Sequence, residues 1–243
     1  MRNSFRRLAP LLVMLFITWC ATIAHLGIPL PPRKITAQEA EKIPTGEANR
    51  WIAKSEFGIH QAILSGPAFE RGIAWGRFTR DLLERQEEVL VEQFQGFFPS
   101  RFVQWGLLLA VKRWFWGMSD FLEPEWLEEM QGVSFSASPK FASYGDPYAR
   151  QLASHALHEI GQMFVDYGPP NFACTVLAVP QEKNWLIGRN FDFEGGRIFD
   201  DEKIMKWVFP EEGIPFVSVI WAGMVGAVTG VNQKGVFISI NAA

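Results

Sequence analysis

Hydrophobic positions change their period once along this chain, and the change divides it in two. Phe69, Ile73, Phe78, Leu82 and Val89 recur at roughly helical spacing with charges between them, which predicts a helix from Pro67 to about Phe94. Residues 100–117, SRFVQWGLLLAVKRWFWG, predict a second helix, unusually rich in aromatics. Lys112, Arg113 and its short apolar core argue against a membrane span, so a buried or groove-lining helix is expected there, the alternative being a membrane-contacting one. Residues 123–136 open with Pro124 and Glu125 in first-turn positions, a helix start. Residues 146–168 predict another long helix, closed by Gly168, Pro169 and Pro170.

After those prolines the pattern is that of strands. FACTVLAVP (172–180) is β-branched and apolar, QEKN is a turn, and WLIGRNFDF (185–193) is the expected hairpin partner. Strands are also expected within 215–223, 224–232 and 234–243, separated by glycines and an NQKG turn. A short strand within 58–66 precedes the helices. Helices first and antiparallel strands later make an α+β organisation, with a sheet that opens at Cys174. Only four or five strands would follow Cys174, leaving one apolar sheet face bare. The expectation is a missing C-terminal segment or a second chain that completes the fold, the alternative being a small two-layer domain closed by its own helices.

The N-terminus differs from the rest. Arg2, Arg6 and Arg7 precede a stretch from Leu8 to Leu30 that carries no acidic or basic residue except His25. A charged start and an apolar run predict a signal peptide or an uncleaved signal anchor over 1–30. The arginines favour an N-terminus inside and a body outside the cytoplasm, exported or membrane-anchored, with possible membrane association through residues 8–30. Residues 31–50 are polar and contain prolines, as a linker would. The expected division is then a helical pro-segment over 51–173 and the start of a sheet over 174–243.

The 243 residues suffice for one large domain or two small ones. A net charge of −3 gives no basic excess, which argues against nucleic acid as a partner. The two cysteines, Cys20 and Cys174, do not suggest a disulfide, because Cys20 lies in the apolar leader. Cys174 is therefore the sole thiol of the body, and buried cysteine is often simply a small hydrophobe.

A nucleophilic cysteine needs a base or a cationic neighbour. His60, His155 and His158 are the histidines of the body. His155 and His158 are three apart, which departs from the zinc-protease spacing of four, and no further ligand suggests itself. A metal hydrolase built on them is the weakest reading, and no cofactor or metal is expected. Another base exists if the bond before Cys174 is cut, because a free α-amine has a pKa of about 7.7–8.0. Arg189 lies across a tight hairpin from Cys174, with Asn190 and Asp192 just after it. Positions three apart on a regular strand face opposite sides. Arg189 and Asp192 can both face Cys174 only if the strand bulges or ends between Asn190 and Asp192.

Cys174 and Thr175, followed after a strand and turn by Gly188, Arg189, Asn190, Phe191 and Asp192, resemble the start of the cysteine-dependent N-terminal nucleophile (Ntn) amidohydrolases. These include choloylglycine hydrolases, penicillin V acylase, acid ceramidase and the acyl-CoA:6-aminopenicillanic acid acyltransferase group. The segment GVNQKGVFISINAA is similar to the part of the family in which a turn leads to a strand ending in asparagine, here Asn241. FERGIAWGRFTRDLL (69–83) and LEEMQGVS (127–134) are most similar to the acyltransferase group, where a helical pro-segment precedes the cysteine. The resemblance implies an αββα sandwich, of which this chain holds the first strands. It implies autocatalytic cleavage between Ala173 and Cys174, with alanine where the penicillin acyltransferases usually have glycine. Cys174 would be the nucleophile, Arg189 would orient and acidify it, Asp192 would hold its α-amine, and Asn241 would donate to the oxyanion. The implied reaction is amide hydrolysis or acyl transfer through an acyl-thioenzyme, on a small-molecule amide or acyl-CoA-like substrate. The competing reading is a non-catalytic exported binding or scaffold protein that keeps the fold.

Overall fold

A computed structural model describes residues 14–15, 18–20, 29–54, 58–114, 117–156, 172–193 and 196–241. Most of the apolar stretch over 8–30, His158 and the distal half of the helix expected over 146–168 lie outside the described residues.

The chain is α+β with a mixed sheet. Eight strands are described: β1 (Arg50–Ile52), β2 (His60–Gly66), β3 (Phe172–Pro180), β4 (Trp185–Phe193), β5 (Ile204–Pro210), β6 (Phe216–Ile220), β7 (Thr229–Asn232) and β8 (Phe237–Ser239). Six of them form one sheet in the order β1-β2-β5-β6-β7-β8. Its ladders are antiparallel except that β2 and β5 run parallel, so the sheet is mixed rather than wholly antiparallel. β3 and β4 pair only with each other, as a two-stranded sheet. The single sheet expected to open at Cys174 is thus two sheets, and the larger one draws two strands from the N-terminal segment.

The helices are α1 (Ala37–Glu41), α2 (Ala68–Phe97), α3 (Arg101–Trp114), α4 (Pro124–Ser134), α5 (Pro147–His155) and α6 (Ile198–Asp201). α2 and α4 cross with backbones in contact. A Cβ on Gly132 would stand 2.4 Å from the Phe69 carbonyl oxygen, and one on Gly72 would stand 2.1 Å from that of Glu129. Arg71 is buried at this crossing, where its guanidinium donates to Glu125 and Glu129 at 2.8 Å each. Paired in this way, its charge tolerates removal from water. Trp75, Leu82, Met130, Val133, Tyr148 and Leu152 from these helices then pack on Ala62, Leu64, Ile204 and Ile220 of the sheet, forming the main core.

Alternation along the strands decides which side the helices cover. On β5, Ile204, Lys206 and Val208 are buried, whereas Trp207 and Phe209 are exposed. Val219 and Val231 are exposed on the same outward side as Trp207. The sheet therefore has a helix-covered face and an open apolar one.

Two stretches depart from expectation. Residues 31–50 are docked rather than a free spacer. Thr36 caps α1 with a reciprocal Thr36–Glu39 capping box, Ala40 packs on Phe69 and Ile73, and Arg77 donates to the carbonyls of Ala40, Glu41 and Ile43. α3 is not buried. Phe102 is 74% exposed and Trp105 46%, so these two aromatics do not serve the core. No described helix is long and apolar enough to cross a membrane.

Candidate active site

The β3–β4 ladder is regular from Phe172↔Phe193 to Pro180↔Trp185. Cys174 stands opposite Phe191 and Val176 opposite Arg189, so these four share one face. Arg189 reaches along that face to the sulfur, with Nη2 3.6 Å from Cys174 Sγ. Nη2 also donates to the Ile240 carbonyl, and Nη1 donates to Thr229 Oγ1 at 2.8 Å. The guanidinium carbon lies 4.2 Å from the centroid of the Phe191 ring, which in turn packs on Trp221 at 5.3 Å. Cys174 Sγ contacts the same Ile240 carbonyl at 3.7 Å, and the thiol is free and half-buried. Hairpin and main sheet meet at this point.

The electrostatics follow from the partner types. Burial lowers the proton affinity of Arg189, and attraction to Cys174 acts in the opposite direction. A guanidinium remains charged at any relevant pH. Among the described residues its acceptors besides sulfur, a hydroxyl and a carbonyl, are neutral. Its positive charge is therefore directed at the thiol, its other partners being this hydroxyl and carbonyl.

Asp192 is placed otherwise than expected. No bulge interrupts β4, and Asp192 stands opposite Ala173 on the face away from the Cys174 side chain. There its Oδ1 accepts from Asn190 Nδ2 at 2.7 Å, as same-face neighbours can. Arg189 and Asp192 therefore do not both face Cys174, because the alternation of β4 is unbroken, and this placement counts against the role expected of Asp192.

Asn241 follows the Ile240 carbonyl that contacts both Cys174 and Arg189. Its amide donates to Ser239 Oγ at 2.9 Å, back toward the end of β8. It is thus beside the cysteine in the fold, with its side chain engaged locally.

The two described histidines, His155 and His60, serve structure. His155 Nδ1 bonds the Gln151 carbonyl at 2.7 Å, and Nε2 accepts from the Val225 N–H at the same distance. Both ring nitrogens are occupied, and burial pushes the imidazole pKa down to about 4, so it is neutral and has no lone pair for a metal. His60 stacks on Trp51 and accepts from the Lys54 N–H. Among the described residues no group of three or more metal-ligating side chains occurs.

Thr229, Phe191 and the Ile240 carbonyl were not foreseen as site groups. One signal existed: in AVTGVN the hydroxyl of Thr229 alternates with buried Val228 and Gly230, which places it on the outward side of β7. The search against protein-family models finds no match, and neither does the search of curated proteins.

Proposed function

We propose that this chain is an autoproteolytically activated cysteine amidohydrolase or acyltransferase of the Ntn type, acting on an amide or acyl thioester of a small molecule. The observation that carries the reading is the Arg189–Cys174 contact at 3.6 Å, made across a hairpin whose first strand holds the nucleophile. Hydrolysis of the Ala173–Cys174 bond frees the cysteine α-amine. That amine takes the thiol proton while Arg189 holds the thiolate. The sulfur attacks the substrate carbonyl carbon, the C–S bond forms, and the carbonyl oxygen becomes an oxyanion to which Asn241 donates once it leaves Ser239. Collapse breaks the C–N or C–S bond of the substrate, and the α-ammonium returns its proton to the leaving group. Water or an amine then releases the acyl group from sulfur. In this reading the Asp192 carboxylate turns from Asn190 to hold the new ammonium. The proposed α+β body is the helical segment and first strands of an αββα sandwich, exported or membrane-anchored with the body outside the cytoplasm.

The test is to incubate the protein with a panel of N-acyl amides and acyl thioesters, quench in acid and search for an acyl mass on the peptide containing Cys174. An acyl adduct that is absent in Cys174→Ala is the expected result. Turnover without the adduct, and undiminished in Cys174→Ala, would contradict the reading.

A further inference from the structure

Among the described residues Arg189 is the cation in contact with the Cys174 sulfur, and its long side chain has no fixed direction of its own. What aims it is therefore part of the chemistry. Two anchors come from the main sheet. One is the Ile240 carbonyl on Nη2, a backbone group, and the other is Thr229 Oγ1 on Nη1 at 2.8 Å. Nε is buried without a hydrogen-bond partner among the described residues, so it adds no third point. A planar guanidinium held at Nη2 alone can pivot about that contact, and a second anchor on Nη1 fixes its plane.

Thr229 is itself well held. It pairs with Val219 on one side and Ser239 on the other. The loop before it, Trp221–Val228, is tied to the covered side of the sheet by four side chains. Trp75 Nε1 and Lys206 Nζ donate to the Met224 carbonyl at 3.1 and 2.9 Å. Gln151 Nε2 donates to the Gly223 carbonyl, and His155 Nε2 accepts from the Val225 N–H. Thr229 thus stands where a rigid loop delivers the chain to the open face.

We infer that Thr229 is a positioning residue, whose hydroxyl locks the Arg189 guanidinium in the plane that presents Nη2 to Cys174 Sγ. The inference rests on the cysteine reading above, but its test does not need turnover. Iodoacetamide is reacted with the full chain across pH, and the Cys174 peptide is followed by mass, which separates it from Cys20. Thr229→Val removes the hydroxyl at nearly constant shape. Its Cys174 alkylation at pH 7 is expected to slow roughly five-fold, the equivalent of one hydrogen bond of about 1 kcal/mol, with the pH profile displaced to alkaline pH. Thr229→Ser restores the wild-type profile. Thr229→Ala is read in the same way, so the result stands if the valine variant folds poorly. A wild-type profile in Thr229→Val or Thr229→Ala, or an equal slowing in Thr229→Ser, overturns the inference. If no substrate acylates Cys174 but these profiles behave as stated, the enzymatic reading fails and the positioning role remains.

Discussion

The two faces of the six-stranded sheet divide the labour of this molecule. On the covered face Lys206 is fully buried, its ammonium donating to the Met224 carbonyl and lying 5.5 Å from the Trp75 ring centroid. Helices there approach so closely that glycines are required at the crossing. On the open face Trp207, Phe209, Val219 and Val231 are solvent-exposed, and Thr229 meets the Arg189 of the hairpin. Leu177, Trp185 and Leu186 at the far end of the hairpin are more than 60% exposed. Packing thus fixes one side and leaves Cys174 on the other. Substitutions on the covered side should cost stability, and those on the open side should cost chemistry.

The comparison can be broken at several strengths. Cys174→Ala should abolish acyl transfer and processing while leaving the melting temperature within a few degrees, because the thiol fills no core position. A large fall in melting temperature would show that Cys174 supports the fold. Gly132→Val forces side-chain atoms into the Phe69 carbonyl and should cost more than about 4 kcal/mol in urea unfolding, or leave the chain insoluble. A variant as stable as wild type would mean that α2 and α4 separate freely.

Acid provides a graded test of the covered side. The pKa of His155 is lowered from 6.5 to about 4 in the fold, so between those values the unfolded chain binds a proton that the folded one does not. Stability should be fully present above pH 6.5 and be lost as pH falls toward 4, by about 3 kcal/mol from this group. Lys206 has the same sign in a higher window. Its pKa is lowered from 10.5 to about 8, so its contribution to stability should increase as pH rises between those values. Urea unfolding at successive pH values checks both, and His155→Gln should flatten the acid limb. Smallest of all, Trp207→Ser and Val231→Thr on the open face should change stability by less than about 0.5 kcal/mol. Losses of several kcal/mol there would mean that this face is covered in solution.

Sheet connectivity adds a consequence for cleavage. β2 belongs to the segment before Cys174 and β5 to the segment after it, and they are joined by a parallel ladder from His60↔Ile204 to Gly66↔Pro210. A cut at Ala173–Cys174 therefore leaves the two pieces sharing one sheet and one core.

The elements most legible in the sequence are those with a clean period. α2, α4 and the β3–β4 hairpin lie within a few residues of their expected bounds, because nothing tertiary competes with their local pattern. β5 went unforeseen. Its inward side reads Ile204, Lys206, Val208, and a lysine in the buried position disguises a strand whose charge is satisfied only by groups distant in sequence. α3 misled in the opposite way, since its aromatics suggested a buried or groove-lining helix and the fold leaves Phe102 and Trp105 exposed. At the site, Cys174 and Arg189 were legible because a tight hairpin sets their distance locally. Thr229 and Ile240 reach Arg189 from 40 and 51 positions away, and only the topology brings them there. The orientation of Asp192 could not be read either, because a bulge depends on the partner strand as much as on the residues of its own.

The central claim is that Cys174 becomes an N-terminus. Intact-mass analysis of the purified full-length protein under denaturing conditions tests it directly. The account predicts a chain whose mass begins at Cys174 together with one that ends at Ala173, and a single uncut chain in Cys174→Ala. An uncut wild-type protein that nevertheless turns over an amide, or a cut that persists unchanged in Cys174→Ala, would contradict it.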